Sequence, residues 1–295
     1  MGETEWLTER FEEHRPRLQA VAYRMLGSLS EAEDAVQDAW MRVSRAGADD
    51  VENLGGWLTT IVARVCLNML RSRNVRREEE LPTHLPDPII SPDGSHQPEE
   101  QALLADSVGL ALQVVLETLA PSERLAFVLH DMFQLPFEEI APMLDRTPEA
   151  ARQLASRARR RVKGAVTEAP DTDLSRQRAV VNAFFAAARG GDFEALVALL
   201  DPDVVLRVDR RAALTMVRGA EAVVQQARAG ANPAAALHPV LVNGAAGVVI
   251  TVRGRPNAVM AFTVAGGKIV EIDTIADPIR VASIAAGHYQ PLSGS

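Results

Sequence analysis

A proline-rich acidic segment interrupts two stretches of helical sequence, and it constrains the fold more than any other feature of the chain. Residues 78–99 contain five prolines, six acidic residues and a Pro-Asp-Gly turn. Proline removes a backbone hydrogen bond from a helix, and a segment this polar has little apolar surface with which to build a core. We therefore expect a linker at 78–99 that separates two helical domains.

The first predicted domain covers residues 1–77. Its apolar residues repeat at i, i+3, i+4 and i+7, the spacing of an amphipathic helix, first in Leu18, Val21, Ala22 and Met25. The same period returns twice before the linker, in a helix through Val36, Trp40 and Val43 and in a helix through Leu58, Val62 and Met69. Three such helices predict a small all-α bundle.

The second predicted domain covers residues 100–166 and ends in two short helices. A three-residue turn, Asp145-Arg146-Thr147, leads to Pro148, which suits the first position of a helix. The last helix buries an alanine-rich face and places polar and basic residues on the opposite one, an arrangement typical of a DNA-binding helix-turn-helix. Pro142 lies inside the first of these helices, where it should remove a backbone hydrogen bond to Glu138 and bend the chain.

The remaining part of the chain changes from helical to strand-like sequence. Two helical stretches are followed by β-branched runs at 204–208, 239–242, 248–252, 259–264 and 269–272, separated by Gly and Asn turns. Helices followed by antiparallel strands predict a separate α+β domain over residues 173–285.

The charge is concentrated on two helices. The net charge of the chain is -8, yet residues 53–77 contain five arginines and no acid, and residues 150–163 carry a charge of +6. Residues 167–295 hold 12 basic and 12 acidic groups. Local basic patches on an acidic protein indicate two separate contacts with nucleic acid.

Composition argues against several other classes of protein. The longest apolar runs are too short to span a membrane, and the acidic N-terminus has no export signal, so we expect a cytoplasmic protein. Cys66 is the only cysteine, which excludes an internal disulfide and a cysteine-rich metal site. On an apolar helical pattern this cysteine is more often a small core residue than a nucleophile. We expect neither a metal nor a cofactor.

Four motifs resemble those of extracytoplasmic-function (ECF) sigma factors, over roughly residues 9–163. They are Glu31-Ala-Glu-Asp-Ala-Val-Gln-Asp-Ala-Trp40, Gly56-Trp-Leu-Thr-Thr-Ile-Val-Ala-Arg64, Phe137-Glu-Glu-Ile-Ala141 and Ala155-Ser-Arg-Ala-Arg-Arg160. The C-terminal segment, with Phe184-Phe-Ala-Ala-Ala-Arg-Gly-Gly-Asp192 and Val217-Arg-Gly-Ala220, resembles a SnoaL-like domain. The resemblance implies a multidomain fold of two all-α domains, a sigma-2 helical bundle and a sigma-4 helix-turn-helix, followed by an α+β SnoaL-like cone domain. It also implies core RNA polymerase and promoter DNA as partners.

The resemblance assigns roles to three sets of residues. Asp34, Gln37, Asp38 and Trp40 would bind the clamp helices of the polymerase β′ subunit, and the sigma-4 domain would bind the β flap. From spacing alone, a solvated acidic helix face is the favoured interpretation, and the order of all four motifs favours polymerase binding instead. The minus-ten element would be read and melted by one stripe of the third predicted helix and by the loop 47–56 before it. The stripe consists of Trp57, Arg64, Asn68 and Arg71. The phosphates would be contacted by Arg73, Arg76 and Arg77. A core position for Trp57 is an equally strong alternative. A minus-thirty-five element would be contacted by polar and basic residues of the last helix, namely Arg152, Gln153, Ser156, Arg157, Arg159 and Arg160.

The linker sequence His84-Leu-Pro-Asp-Pro88 is similar to that of sigma factors whose fused SnoaL-like domain modulates their activity. The resemblance implies a regulatory interdomain contact through His84, Leu85, Pro86, Asp87, Pro88 and Asp209. It is imperfect, because Arg210-Arg211 replaces a glycine-rich stretch and Ala276-Asp277-Pro278 only approximates a second motif.

Two other functions remain open from the sequence. The SnoaL-like cone could hold an unidentified small ligand or supply a general base from Asp209, His238, Glu271 or Asp273, which would make the chain an enzyme with a DNA-targeting half. An acid on a strand is more often a surface residue, so we expect no catalysis. The chain could also be a ligand-sensing helix-turn-helix regulator. Two basic helices joined by a proline-rich linker favour the sigma factor over both.

Overall fold

The computed structural model describes residues 3–46, 51–77, 84–92, 109–165, 170–211 and 213–286. The chain divides into two compact units. The first unit contains Met1–Pro82 and Leu112–Thr167, and the second contains Thr83–Ala111 and Glu168–Ser295. No helix among the described residues is long and apolar enough to cross a bilayer.

Three helices form the N-terminal part of the first unit: α1 (Glu3–Leu26), α2 (Leu29–Ala46) and α3 (Leu54–Arg77). Each packs against the other two, and the apolar stripes that predicted them form the buried interior. Gly27 ends α1 with φ 73°, a left-handed conformation that glycine adopts without steric cost. The predicted all-α bundle is confirmed.

The described residues of this unit also form four further helices and two short turns. They are α4 (Leu110–Glu117), α5 (Pro121–Phe127) with a π-helical turn (Val128–Met132), α6 (Phe137–Ile140) with a 3-10 turn (Ala141–Met143), and α7 (Pro148–Ala165). The expected effect of Pro142 is present, because α6 stops at Ile140 and the chain tightens into the 3-10 turn. The hydroxyl of Thr147 accepts a hydrogen bond from the backbone N–H of Ala150, which caps α7 at the predicted place.

The two sets of helices pack against each other within the first unit. At the C-terminal end of α1, the carbonyl oxygen of Met25 accepts a hydrogen bond of 2.7 Å from Arg124 Nη1. Gln113 Nε2 donates to the carbonyl oxygens of Tyr23 and Arg24, both at 3.3 Å. The last carbonyls of a helix have no partner within it. Here the carbonyls of Tyr23, Arg24 and Met25 accept from buried side chains of the second set of helices.

The second unit is a seven-stranded sheet with helices packed on it. Its elements are β1 (Ile90–Pro92), α8 (Leu174–Gly190), α9 (Phe193–Leu199), β2 (Leu200–Arg210), β3 (Ala213–Arg218), α10 (Ala220–Gly230), β4 (Ala235–Val242), β5 (Ala245–Val252), β6 (Arg255–Ala265), β7 (Lys268–Ile275) and α11 (Pro278–Ile284). The strand order is β1-β4-β5-β6-β7-β2-β3, and every pairing is antiparallel except that of β2 with β7.

The core of this unit lies between α8, α9, α10 and one face of the sheet. Along β2 the buried side chains of Val204, Leu206 and Val208 point to this face, and Phe184 of α8 packs edge-on against Phe262 of β6. Side chains at alternate positions, such as Arg207 and Asp209, point to the opposite face. The predicted α+β architecture is confirmed.

The proline-rich segment contributes to the second unit, although its composition predicted a linker without a core. Leu85, Ile89 and Ile90 are buried, and β1 pairs in antiparallel register with β4, with Ile90 opposite Val242. The prolines permit this arrangement because β1 is an edge strand of only three residues, and Pro92 stands at its end, where a missing N–H is tolerated. The other residues of 78–99 lie outside the described part of the chain.

Candidate functional site

The stripe on α3 forms as its spacing predicts. Arg64, Asn68 and Arg71 are exposed on one side of the helix, and Trp57 at its first turns is half-buried. Arg64 Nη2 donates to the carbonyl oxygen of Pro142 at 3.3 Å. The ring of Trp57 is therefore partly packed and partly open to solvent, a position between the two alternatives for this residue.

The arginines at the end of α3 are not equivalent. Arg73 Nη1 donates to the carbonyl oxygen of Leu26 at 3.1 Å, and its guanidinium forms an ion pair with Glu31. Arg73 is thus engaged with the bundle, whereas Arg71 is exposed. The side chains of Arg76 and Arg77 lie outside the described residues.

The predicted polymerase-binding residues occupy the outer side of α2. Asp34 and Gln37 are exposed, and Asp38 forms an ion pair of 2.8 Å with Arg42 one turn later. Trp40 is more enclosed, since its ring centroid lies 4.9 Å from that of buried Phe11. Asp34 and Gln37 are therefore the most accessible members of this set, and Met41 near them is also exposed.

On α7 the predicted DNA-binding residues fall into two groups. Gln153, Ser156 and Arg160 are exposed along the middle of the outer face. The others contact neighbouring helices: Arg157 Nε donates to Glu123 Oε1 at 3.0 Å, Arg159 Nε donates to Asp131 Oδ1 at 2.6 Å, and the Arg152 guanidinium lies 5.2 Å from the Phe137 ring centroid. The acids were missed because they lie about 30 residues before their partners.

Asp209 is the centre of a contact that holds the proline-rich segment in the second unit. This aspartate is fully buried on the face of the sheet opposite the apolar core. Its Oδ1 lies 2.9 Å from His84 Nδ1, and its Oδ2 accepts from the backbone N–H of Leu85 at 2.7 Å. His84 and Leu85 are therefore brought into contact with Asp209, as predicted from the sequence. Pro86 and Pro88, which follow them in the chain, are buried.

Arg280 of α11 completes the same contact, although no motif or spacing pointed to this residue. Its Nη1 donates to Asp209 Oδ2 at 2.6 Å, and its Nη2 donates to Asp87 Oδ1 at 2.7 Å and to the carbonyl oxygen of Leu85 at 2.8 Å. A second clamp follows at Asn243, whose side-chain oxygen accepts from the N–H of Ile89 at 3.0 Å and whose own N–H donates to the Ile89 carbonyl at 2.8 Å. Asp209, Arg280 and Asn243 thus satisfy the backbone N–H and C=O groups of Leu85 and Ile89.

The candidate general bases do not face the apolar core of the second unit. Asp209, Glu271 and Asp273 alternate with the core residues of β2 and β7 and so lie on the other face of the sheet. Burial raises the pKa of Asp273 to about 6, against the opposing effect of Arg207, whose Nη1 is 2.9 Å away. His238 hydrogen-bonds the Thr251 hydroxyl at 2.9 Å.

Hydrophobic residues of the helices and the sheet form the core between them, and the buried side chain of Gln177 accepts a hydrogen bond from the N–H of Ala246 at 2.9 Å beside it. Among the described residues, no group of three His, Cys, Asp or Glu side chains is arranged to hold a metal ion. Cys66 is fully buried in α3, and burial raises the pKa of its thiol. A buried thiol of raised pKa is a core residue, as the sequence predicted.

The sequence of the chain matches known proteins along most of its length. Residues 10–76 match sigma-70 region 2, and residues 109–162 match sigma-70, region 4. The probable ECF RNA polymerase sigma factor SigI of Mycobacterium tuberculosis is 34% identical over 276 residues, which cover 92% of this chain and 94% of SigI. This chain belongs to the ECF sigma factor family.

Two further matches support the assignment. The ECF RNA polymerase sigma factor SigJ of Mycobacterium tuberculosis is 38% identical to this sigma factor over 289 residues, 91% of each chain. The crystal structure of that organism's SigJ matches with a TM-score of 0.73 and 35% identity, covering 92% of this chain and 97% of the other. A likeness of this extent includes both compact units. The predicted fold, two all-α sigma domains followed by an α+β SnoaL-like domain, is confirmed.

Proposed function

We propose that this sigma factor binds core RNA polymerase in the cytoplasm and directs it to promoters through α2, α3 and α7. The observation that supports this most is that two exposed basic helices, α3 and α7, stand in the parts of the chain that match sigma-70 regions 2 and 4. Asp34 and Gln37 would bind the β′ clamp helices. The stripe from Trp57 to Arg71 would bind the minus-ten element, and α7 would bind the minus-thirty-five element.

We further propose that the packing of the first unit is a closed state of the sigma factor. The two promoter elements lie about 25 base pairs apart, or ~85 Å at ~3.4 Å per base pair. In the closed state, Arg64 of the minus-ten stripe contacts Pro142 of the helix-turn-helix at 3.3 Å. Helices in contact cannot reach both elements, so the unit must open when the chain binds polymerase.

The second unit would set how readily this opening occurs. It holds residues 84–92, which belong to the segment that joins α3 to the helix-turn-helix, through the Asp209–Arg280 contact and through β1. A conformational equilibrium of this kind needs only a few kcal/mol of bias. We infer a regulatory rather than a catalytic role for this unit, because its candidate acids lie on the opposite face of the sheet from its apolar core.

Fluorescence energy transfer between two engineered cysteines tests the closed state directly. Glu52→Cys before α3 and Lys163→Cys on α7 provide exposed labelling sites, and Cys66 can remain because it is buried. We expect transfer to be high in the free chain and to fall when core polymerase is added. A separation that polymerase leaves unchanged would contradict the closed state.

Run-off transcription tests the function itself. Core polymerase with this chain should initiate at promoters selected from a randomised library, and core polymerase alone should not. The paired variant N68A/R71A, which removes two exposed side chains of the minus-ten stripe, should reduce initiation at these promoters. A chain that supports no initiation from any selected template would overturn the proposal.

A further inference from the structure

The basic residues of α7 lie on two edges of the helix, with a polar strip between them. At 100° per residue, Gln153, Ser156 and Arg160 project along the middle of the outer face. Arg157 and Arg161 project on one edge, and Arg152 and Arg159 project on the other. The side-chain contacts match this division, because the four arginines at the edges all touch neighbouring elements.

Glu123 of α5 holds both arginines of one edge. Its Oε1 accepts from Arg157 Nε at 3.0 Å, and its Oε2 accepts from Arg161 Nη1 at 2.9 Å. The carboxylate is 8% exposed, whereas the two arginine side chains are 50% and 55% exposed. An acid enclosed in this way has little conformational freedom, so it holds the guanidinium groups of two arginines in place at the surface.

The contact leaves both arginines able to bind a second anion. A guanidinium has five N–H donors, and each of these arginines gives one nitrogen to Glu123. Two guanidinium groups on one carboxylate also leave a net charge of +1 at this edge. The pair is therefore held in place without being neutralised.

A helix in the major groove presents its middle to the bases and its edges to the phosphates of the two strands. We propose that Glu123 is a positioning residue that orients Arg157 and Arg161 toward the phosphates along one side of the groove. The inference rests on the proposed contact of α7 with promoter DNA. Glu123 itself would touch no DNA, and its negative charge alone would weaken promoter binding.

Removal of the Glu123 carboxylate changes promoter binding in opposite directions if the residue positions the arginines and if it only contributes charge. If Glu123 only contributed charge, Glu123→Gln would remove an acid near DNA and strengthen promoter binding. If it only joined α5 to α7, the substitution would lower the melting temperature and leave the salt dependence of binding unchanged. If it positions the arginines, binding weakens and its salt dependence falls, since fewer counterions are released.

The experiment measures promoter binding by the reconstituted holoenzyme across a series of KCl concentrations, with a duplex promoter that the unmodified holoenzyme selects from a randomised library. The variants are E123Q, R157Q/R161Q, and the triple combination. Each phosphate contact contributes about 0.9 to the slope of log K against log[KCl], so R157Q/R161Q should lower the slope by about 1.8. E123Q should lower it by about half of that or more, and adding E123Q to R157Q/R161Q should lower it no further.

Glu139→Gln is the matched control, because Glu139 is an exposed acid of α6 in the same helix-turn-helix and its removal changes the charge equally. We expect this variant to keep the slope of the unmodified protein. If E123Q is unfolded at the assay temperature, E123D decides, since it keeps the charge and shifts the carboxylate. A reduced slope for E123D supports positioning, and an unchanged slope overturns it.

The outcomes also separate this inference from the proposed function. If R157Q/R161Q binds promoter with an unchanged slope, this edge of α7 does not contact phosphates and the promoter contact proposed for Arg157 fails. If R157Q/R161Q lowers the slope while a folded E123Q does not, α7 keeps its role and only the inference about Glu123 is wrong.

Discussion

Replacement of Arg280 by alanine should make residues 84–92 undock from the sheet of the second unit more often. The substitution removes three hydrogen bonds, those to Asp209, Asp87 and the Leu85 carbonyl, and leaves the buried carboxylate of Asp209 without its guanidinium partner. Breaking a buried ion pair by removing one partner costs about 3–5 kcal/mol, and the partial exposure of Arg280 places the effect at the lower end. At ~3 kcal/mol the docked segment would open on the order of 100-fold more often.

Hydrogen exchange at two backbone amides measures this opening. The N–H groups of Leu85 and Ile89 donate to Asp209 and Asn243, so both are protected only while the segment is docked. In R280A, exchange at Leu85 should accelerate roughly 100-fold, and Ile89 should follow to a smaller degree because the Asn243 clamp remains. Arg280→Lys, which keeps the charge but not the forked geometry, should lie between R280A and the unmodified protein.

Arg218→Ala is the matched control for this prediction. Arg218 is also an arginine of the second unit, but its partner Asp203 is 3.4 Å away and both side chains are largely exposed. Exposed pairs of this kind contribute about 0–1 kcal/mol, so protection of Leu85 should not change. Protection of Leu85 and Ile89 in R280A equal to that in R218A would refute the reasoning that Arg280 holds the segment.

Three further changes have definite expected outcomes. Arg124→Met removes a buried charged hydrogen bond to the Met25 carbonyl, which is worth about 2 kcal/mol, and so favours the open first unit. Association with core polymerase, measured by interferometry, should therefore be faster than for the unmodified protein. An unchanged association rate would count against the closed state. Because burial raises the pKa of Asp273 to about 6, the folded state binds its proton more tightly than the unfolded state does. Stability should therefore fall by up to about 3 kcal/mol as pH rises from about 4 to 6, and urea unfolding of Asp273→Asn should lack this part of the pH dependence. Gly247→Ala would place a Cβ 2.8 Å from the carbonyl oxygen of Met260, so it should cost about 2 kcal/mol and lower the melting temperature, whereas a neutral effect would show that β5 and β6 separate easily.

The helical part of the fold could be predicted from the sequence because its signals are local. The apolar period defines α1 to α3, and Thr147 and Pro148 mark the start of α7 within a few residues of chain. The alternation along β2 also predicts which face of the sheet its polar residues occupy. Val204, Leu206 and Val208 share one face, so Arg207 and Asp209 had to lie on the other, away from the apolar core.

The parts that could not be predicted depend on partners distant in the chain. β1 has only three residues, the last of which is Pro92, and shows no alternation, so only its pairing with the edge of β4 makes it a strand. Arg280 lies 71 residues after Asp209, and Glu123 lies 34 residues before Arg157. Charge alone also treated Arg71 and Arg73 alike, whereas the fold engages Arg73 with Glu31 and leaves Arg71 exposed.

The pairing of β1 with β4 has a consequence for the lifetime of the active protein. β4 is the second strand in the order of the sheet, so undocking β1 would turn it into an edge with unpaired backbone N–H and C=O groups. An uncovered edge strand can pair with another chain and promote aggregation. A sigma factor that is activated by undocking this segment would therefore expose an unpaired edge strand until the segment docks again. The risk of aggregation is lowest when the active state is brief and the protein concentration is low.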